Sequence, residues 1–280
     1  MKKDQFLTRR RMLIAGAATL GAAGTAGAFA LGAGDEPARP AVASAAAGPQ
    51  ARPVLKPSAY RLQPLTGYGP PHRTAARTAV RHEPFLRISG RGRTMVLTFD
   101  DGPDPRYTPH ILDTLAEHDV RAMFFVCGEQ ADWNRDLLAR MADEGHVVGN
   151  HTWSHPLLTR MTRRQIRSEM QRTSKVIEDA YGERPLWFRA PYGAWNRNVF
   201  QIEAELGMEP MAWTIDTEDW TTPGTRVIVD HVEDGAAPGV VVLSHDAGGD
   251  RSQSVRALKR YLPHLLDSGY HLTVPRRRPI

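Results

Sequence analysis

The stretch TMVLTFDDGPDP, residues 94–105, joins a strand-like apolar run to two adjacent carboxylates. The run reads Met-Val-Leu-Thr-Phe from residue 95 to residue 99, and Asp100 and Asp101 follow it directly. Because successive side chains of a strand point to opposite faces, these two carboxylates face different surroundings. Adjacent negative charges are unfavourable in a strand, so we expect the pair to have a role that outweighs its repulsion.

Strand-like runs and helical patterns alternate from Thr94 onward. HVVGNH (146–151) and GVVVLSH (239–245) have the apolar character of buried strands, whereas residues 162–182 have the spacing of an amphipathic helix. This alternation predicts an α/β fold with a parallel sheet or barrel. The 187 residues from Thr94 to the end are few for a complete eight-fold barrel, so we predict a shortened or distorted (β/α) barrel.

Charge is unevenly distributed along the 280 residues, which carry a net charge of +5. Residues 1–93 contain 15 Lys and Arg against 4 Asp and Glu, whereas the rest of the chain contains 21 basic and 27 acidic residues. The positive charge therefore lies outside the predicted barrel, and we expect no nucleic-acid partner. Cys127 is the only cysteine, which excludes an intrachain disulfide, and its apolar neighbours predict a core position.

Residues 1–45 have the pattern of an export signal. A basic start precedes a stretch rich in Ala and Gly, and TRRR (8–11) resembles the twin-arginine signal. Small residues at 28–30 (AFA) or 43–45 (ASA) permit cleavage. An uncleaved membrane anchor is the alternative, although the stretch is weakly apolar for a spanning helix. We therefore expect a secreted or envelope-associated protein that is exported by the twin-arginine pathway.

Residues 46–85 are rich in Pro, Ala and Arg and predict a disordered linker. A catalytic domain at 86–280 is predicted to follow it. The basic charge of the linker favours contact with an anionic cell envelope, and a solvated tether is the alternative interpretation. We expect the protein to be a monomer.

Polar residues stand at the ends of five strand-like runs. Because the carboxyl ends of parallel strands meet at one edge of an α/β barrel, we expect these residues to lie together in an active site. They are Asp100 with Asp101, His151, Arg189, Asp216 and His245. Asp216 has the alternative role of capping a helix or loop.

The motif HTWSH places His151 and His155 four residues apart. On a helical turn this spacing puts both imidazoles on one side, although two surface histidines can have the same spacing. Two imidazoles and one carboxylate match a catalytic zinc site with open positions. One residue of the Asp100–Asp101 pair can bind the cation while the other accepts a proton from an activated water. Zn²⁺ is the preferred cofactor, and Co²⁺ or Ni²⁺ would fit the same ligands.

Five short motifs resemble, in order, those of the polysaccharide deacetylase family, also called the NodB-homology domain or carbohydrate esterase family 4. They are TFDDGP, HTWSH, RAPYG, DTEDW and LSHD, and the resemblance extends over residues 94–274. It implies a distorted barrel and a metal-dependent hydrolase that acts on an acetylated polysaccharide.

The resemblance also implies roles for the residues that match the motifs. Asp100 corresponds to the catalytic base and Arg189 to the residue that orients it, whereas His245 corresponds to the general acid and Asp219 to the carboxylate that tunes it. Histidine suits the acid role because an amine leaves poorly unless it is protonated.

Two further groups of residues follow from the same resemblance. The implied metal ligands are Asp101, His151 and His155. The implied substrate contacts are the backbone N–H of Tyr192 as an oxyanion donor, Trp220 as a wall of the sugar groove and Leu243 in the acetyl pocket.

Three functions remain open at the level of sequence. The first is hydrolysis of N-acetyl groups on N-acetylglucosamine glycans, such as peptidoglycan or chitin oligomers. The second is an O-acetyl esterase that acts on acetylated xylan with the same mechanism, and the third is a glycan-binding module without turnover. The complete set of base, ligands and acid argues against the third. Asp246 and Asp250 are interpreted as residues that shape a loop.

The twin-arginine motif leads to a test of the export route. Replacing Arg9 and Arg10 together with Lys should trap the precursor inside the cell, because the route reads the arginine pair and not positive charge alone. Immunoblots of cell and culture fractions measure the outcome, and replacing Lys2 and Lys3 with Arg is the control that leaves the pair intact. Unchanged secretion of the Arg9/Arg10 variant would show that another route is used.

Overall fold

Parallel strands and helices alternate through the part of the chain described by the computed structural model, residues 78–89 and 92–275. The strands are β1 (Thr94–Asp100), β2 (Met123–Val126), β3 (Val147–Asn150), β4 (Trp187–Phe188), β5 (Glu209–Pro210), β6 (Ile215–Asp216), β7 (Val241–His245) and β8 (His271–Leu272). The α-helices are α1 (Thr108–Glu117), α2 (Gly128–Trp133), α3 (Arg135–Asp143), α4 (Arg163–Tyr181), α5 (Arg197–Glu205), α6 (Thr225–Gly235) and α7 (Ser252–Asp267). Within these residues, no helix combines the length and the apolar character that crossing a membrane requires.

The strands form one curled parallel sheet in the order β5-β4-β3-β2-β1-β7-β6, and β8 pairs with β1. Every pairing between named strands is parallel, which confirms the predicted α/β fold with a distorted barrel. The predicted signal peptide and most of the predicted linker lie outside the described residues. The domain boundaries proposed for them therefore stay predictions.

Strand β1 lies at the centre of the sheet and divides the core into an outer and an inner layer. Met95, Leu97 and Phe99 belong to the outer cluster, which packs against helical residues of α1, α3 and α7. Val96 belongs to a separate inner cluster that it shares with residues of β2 and β7. Because side chains alternate along a strand, Thr98 and Asp100 continue on the inner side of the sheet.

The segment that precedes β1 also contacts the sheet. Phe85 forms a parallel bridge with Met211, and Arg87 forms an antiparallel bridge with Val240, so the segment touches residues next to both β5 and β7. The Arg81 guanidinium pairs with the buried carboxylate of Glu209. Contacts with the sheet therefore begin before residue 86, which is the first residue of the predicted catalytic domain.

Helix α4 shows how local sequence sets the ends of the elements. Thr162 and Gln165 form a reciprocal capping box at its start, and Gly182 ends it with a φ of +93°. Glycine adopts this left-handed conformation without a steric penalty, and it is the common residue after a helix. Helix α4 also holds the loop that connects it to β3, and this loop carries two histidines of the site.

Candidate active site

The structure brings the polar strand ends together at the carboxyl edge of the sheet. Asp100 and His245 are opposite each other in the register of β1 and β7. Arg189 follows β4, and its side chain is completely buried against β1. Asp216 differs from the other strand ends, because its carboxylate accepts a hydrogen bond from the backbone N–H of Glu218 and so shapes the following turn.

Asp101, His151 and His155 converge with the geometry of a metal site. Asp101 Oδ1 lies 3.5 Å from His151 Nε2 and 3.4 Å from His155 Nε2, and one ligand atom of each residue lies within 4.8 Å of the others. Asp101 Oδ1 is buried and has no hydrogen-bond partner, as expected for an oxygen that coordinates a cation. Burial by itself would raise the pKa of Asp101, but the adjacent imidazoles hold it well below its usual range. Two imidazole nitrogens and a carboxylate oxygen fit a catalytic Zn²⁺ site.

The two histidines do not lie on a helical turn, and that part of the sequence interpretation is wrong. Residues 151–155 form a loop in which Thr152 and His155 adopt left-handed φ values of +71° and +56°. The loop is held by Asn150 Oδ1, which accepts from Thr152 N, and by Glu169 Oε2, which accepts from the backbone N–H groups of residues 153 and 154. These bonds replace the helical ladder and still bring both rings to one side, with centroids 4.9 Å apart.

His151 is oriented by a backbone group. Its Nδ1 lies 2.7 Å from the carbonyl oxygen of Arg189, so this nitrogen donates and Nε2 is left to face the metal site. Cys127 lies close by, with Sγ 3.8 Å from the carbonyl oxygen of His151, but it is buried in the core as predicted. Burial raises the pKa of the Cys127 thiol well above its usual value.

Asp100 and Arg189 form a buried ion pair behind the metal ligands. Arg189 Nη1 donates to Asp100 Oδ1 at 2.7 Å and also to Thr98 Oγ1 at 2.7 Å. The other guanidinium nitrogens donate to the carbonyl oxygens of Met211 and Ala212, at 3.1 and 2.9 Å. The second carboxylate oxygen, Asp100 Oδ2, faces the metal site and lies 3.8 Å from His151 Nε2.

His245 is paired with the buried carboxylate of Asp219. Its Nδ1 lies 2.7 Å from Asp219 Oδ1, and its backbone N–H donates to Asp219 Oδ2 at 2.9 Å. Ser254 Oγ donates to the same Oδ2 at 2.6 Å, so both oxygens have partners. Burial disfavours the imidazolium, but the contact with Asp219, helped by Asp101 and Asp100, raises the pKa of His245 to about 9.

The three predicted substrate contacts lie on or after strands that end at the site. Tyr192 follows β4, is 61% exposed, and its ring packs edge-on against His155 with centroids 4.6 Å apart. Trp220 follows β6, next to Asp219, and is 48% exposed. Leu243 is buried in β7 two residues before His245, at the level of Thr98 in β1.

Several polar residues that hold the site were not found from the sequence. Thr98 looks like an ordinary strand residue, and Glu169 and Ser254 look like helix-surface residues, because only the folded chain brings them to the site. Arg251 is buried and donates to the carbonyl oxygens of Ala247, Gly248 and Asp219. Asp246 has a further set of buried contacts, and burial together with the nearby carboxylates raises its pKa to about 7.

Comparisons with known proteins agree with this geometry. The polysaccharide deacetylase family model matches residues 87–211. The chain is 39% identical over 207 residues to a chitooligosaccharide deacetylase of Rhizobium leguminosarum bv. trifolii, which covers 70% of this chain and 96% of that protein. It is also 39% identical over 185 residues to a peptidoglycan-N-acetylglucosamine deacetylase of Bacillus cereus, covering 65% of this chain and 86% of that protein.

A solved structure is similar in both fold and sequence. The Bc1960 peptidoglycan N-acetylglucosamine deacetylase matches with a TM-score of 0.65 and 35% identity, over 67% of this chain and 88% of that one. The site and these similarities define a metal-binding hydrolase of carbohydrate esterase family 4. The chain belongs to the polysaccharide deacetylase family, as its motifs predict.

The ligand geometry leads to a test of the metal site. Replacing Asp101, His151 or His155 singly with Ala should lower the zinc bound after dialysis, because two ligands alone make an incomplete site. Elemental analysis of the folded, purified protein measures zinc content. His264→Ala is the matched control, because that imidazole pairs with Glu233 at the surface. Equal zinc content in all four variants would place the metal elsewhere.

Proposed function

We propose that the protein is an exported, zinc-dependent deacetylase that hydrolyses N-acetyl groups of N-acetylglucosamine glycans and releases acetate. The observation that carries this proposal is the placement of Asp100 and His245 side by side in register, next to the Asp101–His151–His155 site. One carboxylate and one imidazole thus flank the position where an acetamido group would sit against the cation.

Asp100 is proposed as the general base. Oδ1 is engaged by Arg189, and Oδ2 is left to face the metal site, where it can accept a proton from the attacking water. When bound, a divalent cation lowers the pKa of water and polarises the acetyl carbonyl. Arg189 keeps the Asp100 carboxylate in one orientation, because four hydrogen bonds to two different chain segments fix the guanidinium.

His245 is proposed as the general acid. A raised pKa keeps the imidazole protonated at neutral pH, so it can donate a proton to the leaving nitrogen from Nε2 while Nδ1 is held by Asp219. An amine is a poor leaving group without a proton, whereas an alcohol needs less assistance. The strongly paired acid therefore favours an N-acetyl over an O-acetyl substrate.

The remaining roles concern the substrate. The backbone N–H of Tyr192 is proposed to donate to the developing oxyanion, Leu243 to contact the acetyl methyl group, and Trp220 to pack against a sugar ring. The names of the relatives, a chitooligosaccharide deacetylase and a peptidoglycan-N-acetylglucosamine deacetylase, support an N-acetylglucosamine glycan as substrate. The TRRR motif supports export by the twin-arginine route and a place outside the cell or at its envelope.

The substrate and the base can be tested in one experiment. Zinc-loaded protein should release acetate from N-acetylglucosamine oligomers or peptidoglycan, and more slowly from acetylated xylan. Asp100→Asn should keep its zinc but lose about 10²–10⁴-fold in turnover, because an amide cannot take up the proton. Acetate release and elemental analysis are read together, with Asp113→Asn on the surface of α1 as the control. Faster release from xylan would favour the esterase, and full activity of Asp100→Asn would remove its role as base.

The Asp219–His245 contact predicts the alkaline limit of activity. His245 donates only when protonated, so kcat/KM should fall as pH rises through its pKa of about 9. Asp219→Asn removes the charge that raises this pKa, and burial then lowers it, so the alkaline limb should move to lower pH by about one unit or more. Glu218→Gln, at an exposed neighbouring position, should leave the profile unchanged. An unmoved limb in Asp219→Asn would exclude His245 as the titrating acid.

A further inference from the structure

Asp246 is a buried carboxylate that no step of the proposed reaction uses. It directly follows His245 at the end of β7 and is 1% exposed. Oδ1 accepts from the backbone N–H of Gly102 at 3.1 Å, and Oδ2 accepts from Thr108 Oγ1 at 2.6 Å. Its own backbone N–H donates to the carbonyl oxygen of Asp100 at 3.1 Å. These are specific contacts and not those of a residue that merely shapes a surface loop.

The contacts of Asp246 enclose one metal ligand. Asp100 and Gly102 are the chain neighbours of Asp101, so Asp246 is bonded to the backbone on both sides of it. Asp101 adopts a left-handed φ of +76°, a conformation that residues other than glycine rarely adopt without support from the surrounding structure. The backbone N–H of Asp101 has one further bond, to the carbonyl oxygen of Phe125 at 3.2 Å.

The close approach of the two segments depends on Gly102. A Cβ at this position would lie 2.1 Å from Asp246 Oδ2, so a larger residue would force the carboxylate away. Thr108 links the same carboxylate to the start of α1, because its Oγ1 also accepts from the backbone N–H of Asp104 at 2.8 Å. One carboxylate, on the residue that follows β7, thus bonds the turn at two points, Gly102 and Thr108.

We propose that Asp246 is a positioning residue for the metal site, which holds Asp101 in the left-handed conformation that aims its carboxylate at His151 and His155. This inference rests on the proposed function, because it assumes that these three residues hold the cation. A carboxylate suits the task because both of its oxygens accept, from an N–H on one side and a hydroxyl on the other. An asparagine could satisfy only one of these donors in the same way.

The test measures zinc affinity in the folded protein and does not depend on turnover. Zinc dissociation constants come from competition with a chromophoric chelator, and thermal unfolding of the metal-free protein is recorded beside them. Asp246→Ala should weaken zinc binding by about 10–100-fold, as is typical when a group that orients a metal ligand is removed. Asp246→Asn should weaken it less, because the bond from Gly102 N can persist. Asp250→Ala is the matched control, since this exposed carboxylate of the same loop accepts from Ser252 N and Tyr107 Oη instead.

Each outcome decides between a positioning role and a structural one. Wild-type zinc affinity in folded Asp246→Ala overturns the proposal, even if the metal-free variant unfolds at a lower temperature, and so does wild-type affinity in Asp246→Asn where the alanine variant does not fold. If Asp246→Ala does not fold, Asp246→Asn carries the test alone. Asp101→Ala distinguishes failure of the ligand assignment from failure of the positioning role. Loss of zinc in this variant, with normal affinity in the Asp246 variants, overturns only the positioning role. Normal affinity in Asp101→Ala overturns the assigned ligands, and the positioning role with them.

Discussion

The buried ion pair between Arg189 and Asp100 is the constraint on which the rest of the site depends. A guanidinium with no exposed surface loses its hydration, which costs several kcal/mol unless hydrogen bonds and an opposite charge replace the lost water. Here the replacements come from β1, through Asp100 and Thr98, and from the carbonyl oxygens that follow β5. The pair therefore fixes the position of the central strand β1 relative to the segment that follows β5. Because the carbonyl of Arg189 also orients His151, the proposed base and a residue of the metal site are fixed by the same residue.

The arrangement of strand ends could be predicted from sequence because it follows from side-chain alternation along a strand and from the parallel direction of the strands. Alternation along β1 sends Asp100 inward, and parallel strands place His245 and Arg189 at the same edge. The conformation of HTWSH could not be predicted, because spacing alone does not reveal that Thr152 and His155 take left-handed conformations. Asp246 was interpreted as a loop residue for a similar reason: its partners, Gly102 and Thr108, lie about 140 positions away in sequence and become neighbours only when β1 pairs with β7.

The proposed acid and the proposed base lie next to each other, and each is paired with a residue of opposite charge. Asp100 is held by a cationic partner that cannot lose its proton, whereas His245 is held by the anionic carboxylate of Asp219. Asp219 favours the charged form of His245, and both partners lie on the side away from the proposed reaction. The division of roles thus follows from the residues behind the site and not from any difference in the solvent exposure of its front.

Much of the support for the cation ligands comes from main-chain atoms. His151 is aimed by the carbonyl of Arg189, and Asp101 is anchored through its backbone N–H to the carbonyl of Phe125. The backbone N–H groups of the loop between the histidines donate to the Glu169 carboxylate. These peptide groups persist when a side chain is replaced, whereas the proposed base and the proposed acid each depend on one charged side-chain partner, Arg189 or Asp219. A substitution of Asp219 alone would consequently leave all three side chains of the Asp101–His151–His155 site in place while removing the partner of the proposed acid, so turnover and ion binding are separable properties of this site.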